Sequence, residues 1–191
     1  MIRTASEILS TLGQRYKQPQ MKLRLMTQHG EIFKVIRGLY ETDGNTSGEV
    51  LAGAIYGPSY LSFEYALSRH GLIPERVSLF TSASFNKNKT KFYKTPFGDF
   101  SYSAIPADVF SHGVSIENAD GRPYSIATCE KALCDKLYKE SPITSKRGME
   151  QFLFENLRID QEDFRNLDFS FIHSIAPLYK KKNLYILSKR G

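Results

Sequence analysis

Residues 19–42 read PQMKLRLMTQHGEIFKVIRGLYET and change from a helical to a β-type pattern at Gly30. Pro19 suits the first turn of a helix, where its missing N–H has no helical partner, and glycine commonly follows a helix end. The sequence therefore predicts a helix that starts near Pro19 and ends at Gly30. We expect its inner side to be formed by Met21, Leu25 and Met26, with Lys22 pointing outward.

Two short β-prone runs follow this helix, at 31–36 and 39–42. Arg37 and Gly38 lie between them, and glycine can take the positive φ that a tight turn requires. The pattern predicts a β-hairpin.

An earlier helix is predicted by Thr4 and Glu7, which have the spacing of a capping box. Two helices followed by a hairpin are the order of a winged-helix unit, so we expect a short winged-helix-like unit over residues 1–43. This segment is basic, with seven Lys and Arg against four Asp and Glu. Basic side chains contact DNA phosphates, and Arg or Gln can read base edges. The candidate DNA contacts are Lys17, Lys22, Arg24, Gln28, Lys34 and Arg37.

The remainder, 44–191, begins with a polar, glycine-containing stretch that is typical of a domain boundary. Its middle predicts a mostly antiparallel sheet and its end predicts helices, so the whole chain is expected to have an α+β fold. The predicted elements are a helix near 50–55, a serine-capped helix over 59–70, a strand at 77–82, hairpins within 90–105 and 114–127, and helices from 128 onward.

The composition and the start of the sequence exclude several classes of protein. The chain has 191 residues, 41% of them hydrophobic, which excludes a disordered chain. The longest nearly apolar stretch, 50–56, is far short of a membrane span, and the start lacks a secretory signal, so we expect a cytoplasmic protein without membrane contact. Cys129 and Cys134 lack redox or metal-ligand spacing and are expected to be buried hydrophobes.

The net charge of +6 is segregated along the chain and permits a polyanionic partner. Solvated surface is the other interpretation of each cluster. Outside the amino-terminal unit, the basic clusters are Lys87, Lys89, Lys91 and Lys94, and then Lys180, Lys181, Lys182, Lys189 and Arg190.

The common enzyme signatures are absent: the four histidines are scattered, and no phosphate-binding loop or nucleophile elbow is present. We therefore expect no catalytic residue, metal or cofactor. The alternative is a metal-dependent nuclease-like defence enzyme, in which acidic residues and a lysine form the site. Its candidate residues are Asp99, Glu117, Asp120, Glu130 and Lys131.

Three ordered blocks resemble the AbiEi-type antitoxins. Residues 25–40, LMTQHGEIFKVIRGLY, are similar to the family's G-x-L-x-x-x-x-R-G-x-Y wing. Residues 60–74 contain YLSFEYAL and HGLIP, which resemble its (Y/V)-(L/I)-S-x-x-S-A-L-x-x-H-G-L-(I/T)-P block. Residues 127–135, ATCEKALCD, are similar to A-x-P-E-K-A-L-x-D. The departures are Tyr65 in place of a frequent Ser and Cys129 in place of Pro.

This resemblance implies an antitoxin that represses its own operon and counters a nucleotidyltransferase toxin in a type IV toxin–antitoxin, or abortive-infection, phage-defence system. Its partners would be its own promoter DNA and the toxin, with 44–191 as the antitoxin domain. The wing is preceded by room for two helices rather than the usual three, which leaves open a degenerate unit that only packs or dimerises. A protein-interaction module without DNA binding is a further alternative. The motif residues, in structural or functional roles, are Gly38, Tyr40, Ser62, Ala66, Leu67, His70, Gly71, Glu130, Lys131 and Asp135.

Overall fold

The computed structural model describes residues 1–87 and 89–189. Within these ranges the chain has the predicted α+β fold, with two sheets, antiparallel hairpins and carboxy-terminal helices. No helix in the same ranges is both long enough and apolar enough to cross a membrane. Arg190, which was assigned to the last basic cluster, lies outside the described residues.

The amino-terminal unit forms a three-stranded antiparallel sheet with two helices. Its capping box is confirmed: the Thr4 hydroxyl accepts from the Glu7 amide, and the Glu7 carboxylate accepts from the Thr4 amide. The hairpin is confirmed as well, with Gly38 at φ +86° in its turn. The first strand was not predicted, because three residues are too few to show a period. The elements are β1 (Ile2–Thr4), α1 (Ala5–Gly13), α2 (Pro19–Gln28), β2 (Phe33–Ile36) and β3 (Leu39–Glu41).

The predicted inner face of α2 is correct only for Met26, which packs against the small core of this unit. Leu23 is the buried residue of this helix and packs with Ile8 and Ile32 in a small core, whereas Met21 and Leu25 are 49% and 39% exposed. Apolar residues stand at positions 21, 23, 25 and 26, which cover more than one side of a helix. Their period could therefore not select the side that packs against α1.

The second unit contains a six-stranded sheet in the order β6-β7-β5-β4-β9-β8. Its strands are β4 (Ser59–Leu61), β5 (Phe80–Ser84), β6 (Lys91–Thr95), β7 (Gly98–Ala104), β8 (Val114–Ala119) and β9 (Arg122–Ala127). Its helices are α3 (Gly48–Ile55), α4 (Phe63–Arg69), α5 (Cys129–Lys139), α6 (Lys146–Glu150), α7 (Gln161–Arg165), α8 (Phe169–Ile175) and α9 (Lys182–Ser188), with a π-helical turn at Gln151–Asn156 and 3₁₀ turns at Ala107–Val109 and Ala176–Tyr179.

This sheet is more mixed than predicted. β4 pairs with β9 in parallel, as does β5 with β7, while the two predicted hairpins, β6–β7 and β8–β9, are antiparallel. The helix predicted from Ser59 starts only at Phe63, because Ser59–Leu61 form β4 between β5 and β9. The strand predicted at 77–82 lies at Phe80–Ser84.

The main core lies between this sheet and the helices that pack on it, α3, α4 and α5. Leu61, Phe100, Ile126 and Leu133 are completely buried there. Val35 of β2 belongs to the same core, so the sheet of the amino-terminal unit packs against the second unit.

Candidate functional site

A buried polar cluster joins two of the three sequence blocks. We call it the Asp135 cluster, and its members are Tyr60, Ser62, Lys131, Asp135 and Tyr179. Tyr60 lies on β4, and Ser62 is the residue before α4. Lys131 and Asp135 stand one turn apart on α5, and Tyr179 ends the 3₁₀ turn before α9. The side chains of Lys131 and Asp135 are both 0% exposed.

The Asp135 carboxylate accepts four hydrogen bonds. Its Oδ2 accepts from the Tyr60 hydroxyl at 2.9 Å and from Ser62 Oγ at 2.7 Å. Its Oδ1 accepts from Lys131 Nζ at 2.8 Å and from the Tyr179 hydroxyl at 2.5 Å. A carboxylate offers about four lone-pair sites, so the acceptor capacity of Asp135 is filled.

The Lys131 ammonium is held by several groups. It also donates to the Tyr179 hydroxyl at 2.6 Å and lies 4.8 Å from the centre of the Tyr179 ring. Burial lowers the pKa of Lys131, and the neighbouring Asp135 carboxylate opposes that shift. Burial and the same carboxylate raise the pKa of Tyr60 and Tyr179 far above the ordinary range, so both hydroxyls remain protonated donors.

This geometry suits a structural connection better than a reaction centre. A general base needs a free lone pair near a substrate, and Asp135 has neither a free lone pair nor an exposed face. The cluster instead joins β4, α5 and the turn before α9. Ser62 precedes α4, but its side chain makes no cap bond to this helix and donates to Asp135.

The other motif residues of the second unit have separate positions. Ala66 and Leu67 are completely buried, and Gly71 takes φ +75° just after α4. His70 is the C-cap residue of α4, and its ring nitrogen Nε2 is 2.7 Å from the Ala127 carbonyl oxygen of β9. The carboxylate of Glu130, in the first turn of α5, accepts from the Asp168 amide at 3.1 Å.

A groove of about 490 Å³ in the amino-terminal unit brings together three of the predicted DNA contacts. Arg24 and Gln28 of α2 line it together with Lys34 of β2, and the motif residue Tyr40 lies in its wall. Arg24, Gln28 and Lys34 are all exposed. The groove therefore opens between α2 and the hairpin.

The other three predicted contacts lie outside this groove. Lys17, between α1 and α2, and Arg37, in the hairpin turn beside Gly38, are exposed. Lys22 does not point freely outward as predicted: it is half-buried, with Nζ 5.6 Å from the Tyr16 ring centre and 4.0 Å from a carboxylate oxygen of Glu31.

The residues of the nuclease-like alternative do not meet. Asp99 lies on β7 and Glu117 on β8, four strand steps away in the sheet, or about 19 Å at about 4.8 Å per step. Asp120 lies in the β8–β9 turn, Glu130 bonds the Asp168 amide, and Lys131 is enclosed in the Asp135 cluster. Over 1–87 and 89–189, no three His, Cys, Asp or Glu residues form a group that could hold a metal ion.

Sequence reasoning named three of the five cluster members as motif residues and gave no polar role to the two tyrosines. The four-residue spacing of Lys131 and Asp135, beside the apolar Ala132 and Leu133, was a usable signal for a buried ion pair. No local pattern identifies Tyr179, which is 44 residues from Asp135.

No profile of a known protein family matches the chain, and a comparison with curated proteins finds no similar sequence.

Proposed function

We propose that this protein is a non-enzymatic antitoxin and transcriptional autoregulator of the AbiEi type. It acts in the cytoplasm against a nucleotidyltransferase toxin of a type IV phage-defence system. Its amino-terminal unit contacts its own promoter DNA, and its second unit carries the antitoxin activity.

The observation that carries this proposal is the meeting of two resemblance blocks in the Asp135 cluster. The block at 60–74 contributes Tyr60 and Ser62, and the block at 127–135 contributes Lys131 and Asp135. Blocks separated by more than 50 residues resemble one family and also bond to each other. We expect such contacts between blocks that maintain the fold of one family. The contacts therefore support the resemblance to that family, from which the function is proposed.

The DNA-binding part is supported by the amino-terminal surface. Gln20, Arg24 and Gln28 are exposed at four-residue spacing along α2, and Lys34 projects from the hairpin beside them. A helix that presents Arg and Gln on one side can contact base edges in the major groove, while flanking lysines contact phosphates.

The antitoxin part is tested by bacterial growth. The product of the adjacent gene is expressed alone and then together with this chain, and we expect growth arrest followed by rescue. A double variant, Arg24→Ala with Lys34→Ala, should still rescue, because its changes lie outside the second unit. A harmless neighbour, or a toxic neighbour that is not rescued, would contradict the antitoxin role.

The DNA-binding part is tested separately by fluorescence anisotropy with the DNA upstream of the gene, measured over a range of salt concentrations. Arg24→Ala should weaken binding, and Lys34→Ala should reduce the slope of log K against log salt by about 0.9 if it removes one phosphate contact. The matched control is Arg158→Ala, which removes the same charge from a side chain that pairs with Glu75 in the second unit. Equal effects of Arg24→Ala and Arg158→Ala on affinity, or an affinity that does not change with salt concentration, would contradict the proposed DNA binding.

A further inference from the structure

Within the described residues, strand β8 forms an outer edge of the six-stranded sheet and pairs only with β9. Its central residue, Ile116, is 74% exposed, the largest exposed fraction among the large apolar side chains of the described chain. An edge strand offers a row of unpaired backbone groups to any other strand.

The outward groups of β8 follow from its register. The Thr128 amide donates to the Gly113 carbonyl at 2.8 Å, which makes these two a hydrogen-bonded pair just beyond Val114↔Ala127. Bonded pairs recur at every second position in an antiparallel ladder, so residues 115, 117 and 119 bond β9. The N–H and C=O groups of residues 114, 116 and 118 therefore point outward. Pro123, which has no N–H, stands opposite Asn118 and fits this phase.

The opposite edge of the sheet is protected against pairing with another strand, whereas β8 is not. Strand β6 carries Lys91 and Lys94 and lies beside β2 of the amino-terminal unit. Lysine and a covering segment are two of the means by which proteins block edge pairing. The sequence of β8, VSIENA, contains neither lysine nor proline, and its solvent-facing centre is isoleucine.

We propose that β8 is a homodimer interface, where a second copy of this chain pairs antiparallel about a two-fold axis at Ile116. This register places the two Ile116 residues opposite each other and Val114 opposite Asn118 of the second copy, so every outward position of β8 is bonded. It also places Ser115 opposite Glu117 of the second copy. An axis at Glu117 would oppose two carboxylates, and an axis at Ser115 would leave position 118 without a partner inside the strand.

The charges of β8 and the two-fold symmetry of the contact both favour a second copy of this chain as the partner of this edge. The axis at Ile116 opposes no like charges, and an isologous contact is satisfied by one partner. Because β6 is protected, the six-stranded sheet has one free edge within the described residues, so pairing through this sheet ends at a dimer and does not continue into a filament.

The test is equilibrium sedimentation of the full chain from about 1 to about 100 µM. We expect the wild-type mass to reach twice the 21.8 kDa of one chain. Ile116→Lys adds an edge charge, and Asn118→Pro removes an outward N–H that β9 does not use. Both should remain at the single-chain mass while keeping the wild-type circular dichroism spectrum.

The matched control is Phe92→Lys, which adds the same charge to an exposed residue of β6 and should leave the dimer intact. A wild-type chain that is monomeric over the whole range would overturn the proposal and leave this edge to a strand of another protein. A dimer that survives either β8 substitution would overturn it too.

Discussion

Removing the carboxylate of Asp135 should cost more folding free energy than removing the ammonium of Lys131, although the two groups form one ion pair. Asp135→Ala leaves the Tyr60, Ser62 and Tyr179 hydroxyls without their acceptor, and the Lys131 ammonium then donates only to the Tyr179 hydroxyl. Lys131→Met leaves the carboxylate with three O–H donors.

The magnitudes follow from these partners. Breaking a buried ion pair by deleting one member costs about 3 to 5 kcal/mol. We expect Lys131→Met near the lower value, because the remaining carboxylate keeps its three hydroxyl donors. Asp135→Ala should cost at least about 3 kcal/mol more, since each of three buried hydroxyls loses its acceptor at about 1 kcal/mol or more. Domains are stable by only about 5 to 15 kcal/mol, so this variant should be near the limit of folding.

The assay is equilibrium unfolding in urea, followed by circular dichroism, with comparison of both midpoint and slope. Two milder variants extend the series: Tyr60→Phe and Ser62→Ala each remove one bond to a charged group and should cost about 1.5 to 3 kcal/mol. If Lys131→Met destabilises the protein as much as Asp135→Ala, the cluster is not centred on the carboxylate, and the argument fails.

Two further predictions concern packing and acid stability. Gly48→Ala should lower the free energy of unfolding by about 1 to 3 kcal/mol, because its new Cβ would lie 2.0 Å from the Phe80 ring. Gly53→Ala in the same helix meets nothing within 4 Å and should raise the free energy of unfolding by about 0.5 to 1 kcal/mol. Thermal melts that rank the two variants in the opposite order would contradict the packing. Burial alone would raise the pKa of Glu41, but hydrogen bonds from the terminal amine, Thr46 and a backbone amide outweigh it and hold the pKa below 4.5. The unfolded chain therefore binds the proton more tightly, so this stabilisation is present above about pH 4.5 and is lost as the pH falls through the lowered pKa. The urea midpoints of Glu41→Gln should vary less with pH over this window than those of the wild type. Equal variation of the two proteins would contradict the role given to Glu41.

The parts of the fold that sequence reasoning predicted correctly are those fixed by neighbouring residues. The Thr4–Glu7 capping box and the turns at Arg37-Gly38 and Asp120-Gly121 each depend on contacts within four residues. Strand β4 was missed because Ser59–Leu61 lead directly into a helix and share its apolar character. Pairing with β5 and β9, which come later in the chain, makes this segment a strand.

The residues of the candidate sites were likewise predictable only where neighbouring residues in the sequence fix their contacts. Motif residues that lie within one helix, Lys131 and Asp135, could be named from the sequence, and their bond follows from helical spacing. The polar role of Tyr60 and Tyr179 depends on a tertiary contact across the core and had no local signal. The outward phase of β8 also required the register of the sheet, since either alternation of VSIENA is compatible with the sequence.

Strand β2 limits how this chain can evolve. It contributes Val35 to the core of the second unit, and its Phe33 ring packs edge-on against Phe97, with the ring centres 6.2 Å apart. Recombination at residue 43 would separate these pairs and expose apolar surface on both pieces. The amino-terminal unit is therefore not an exchangeable module, and the proposed DNA contacts would change their specificity more readily by substitutions on the open side of α2 than by domain shuffling.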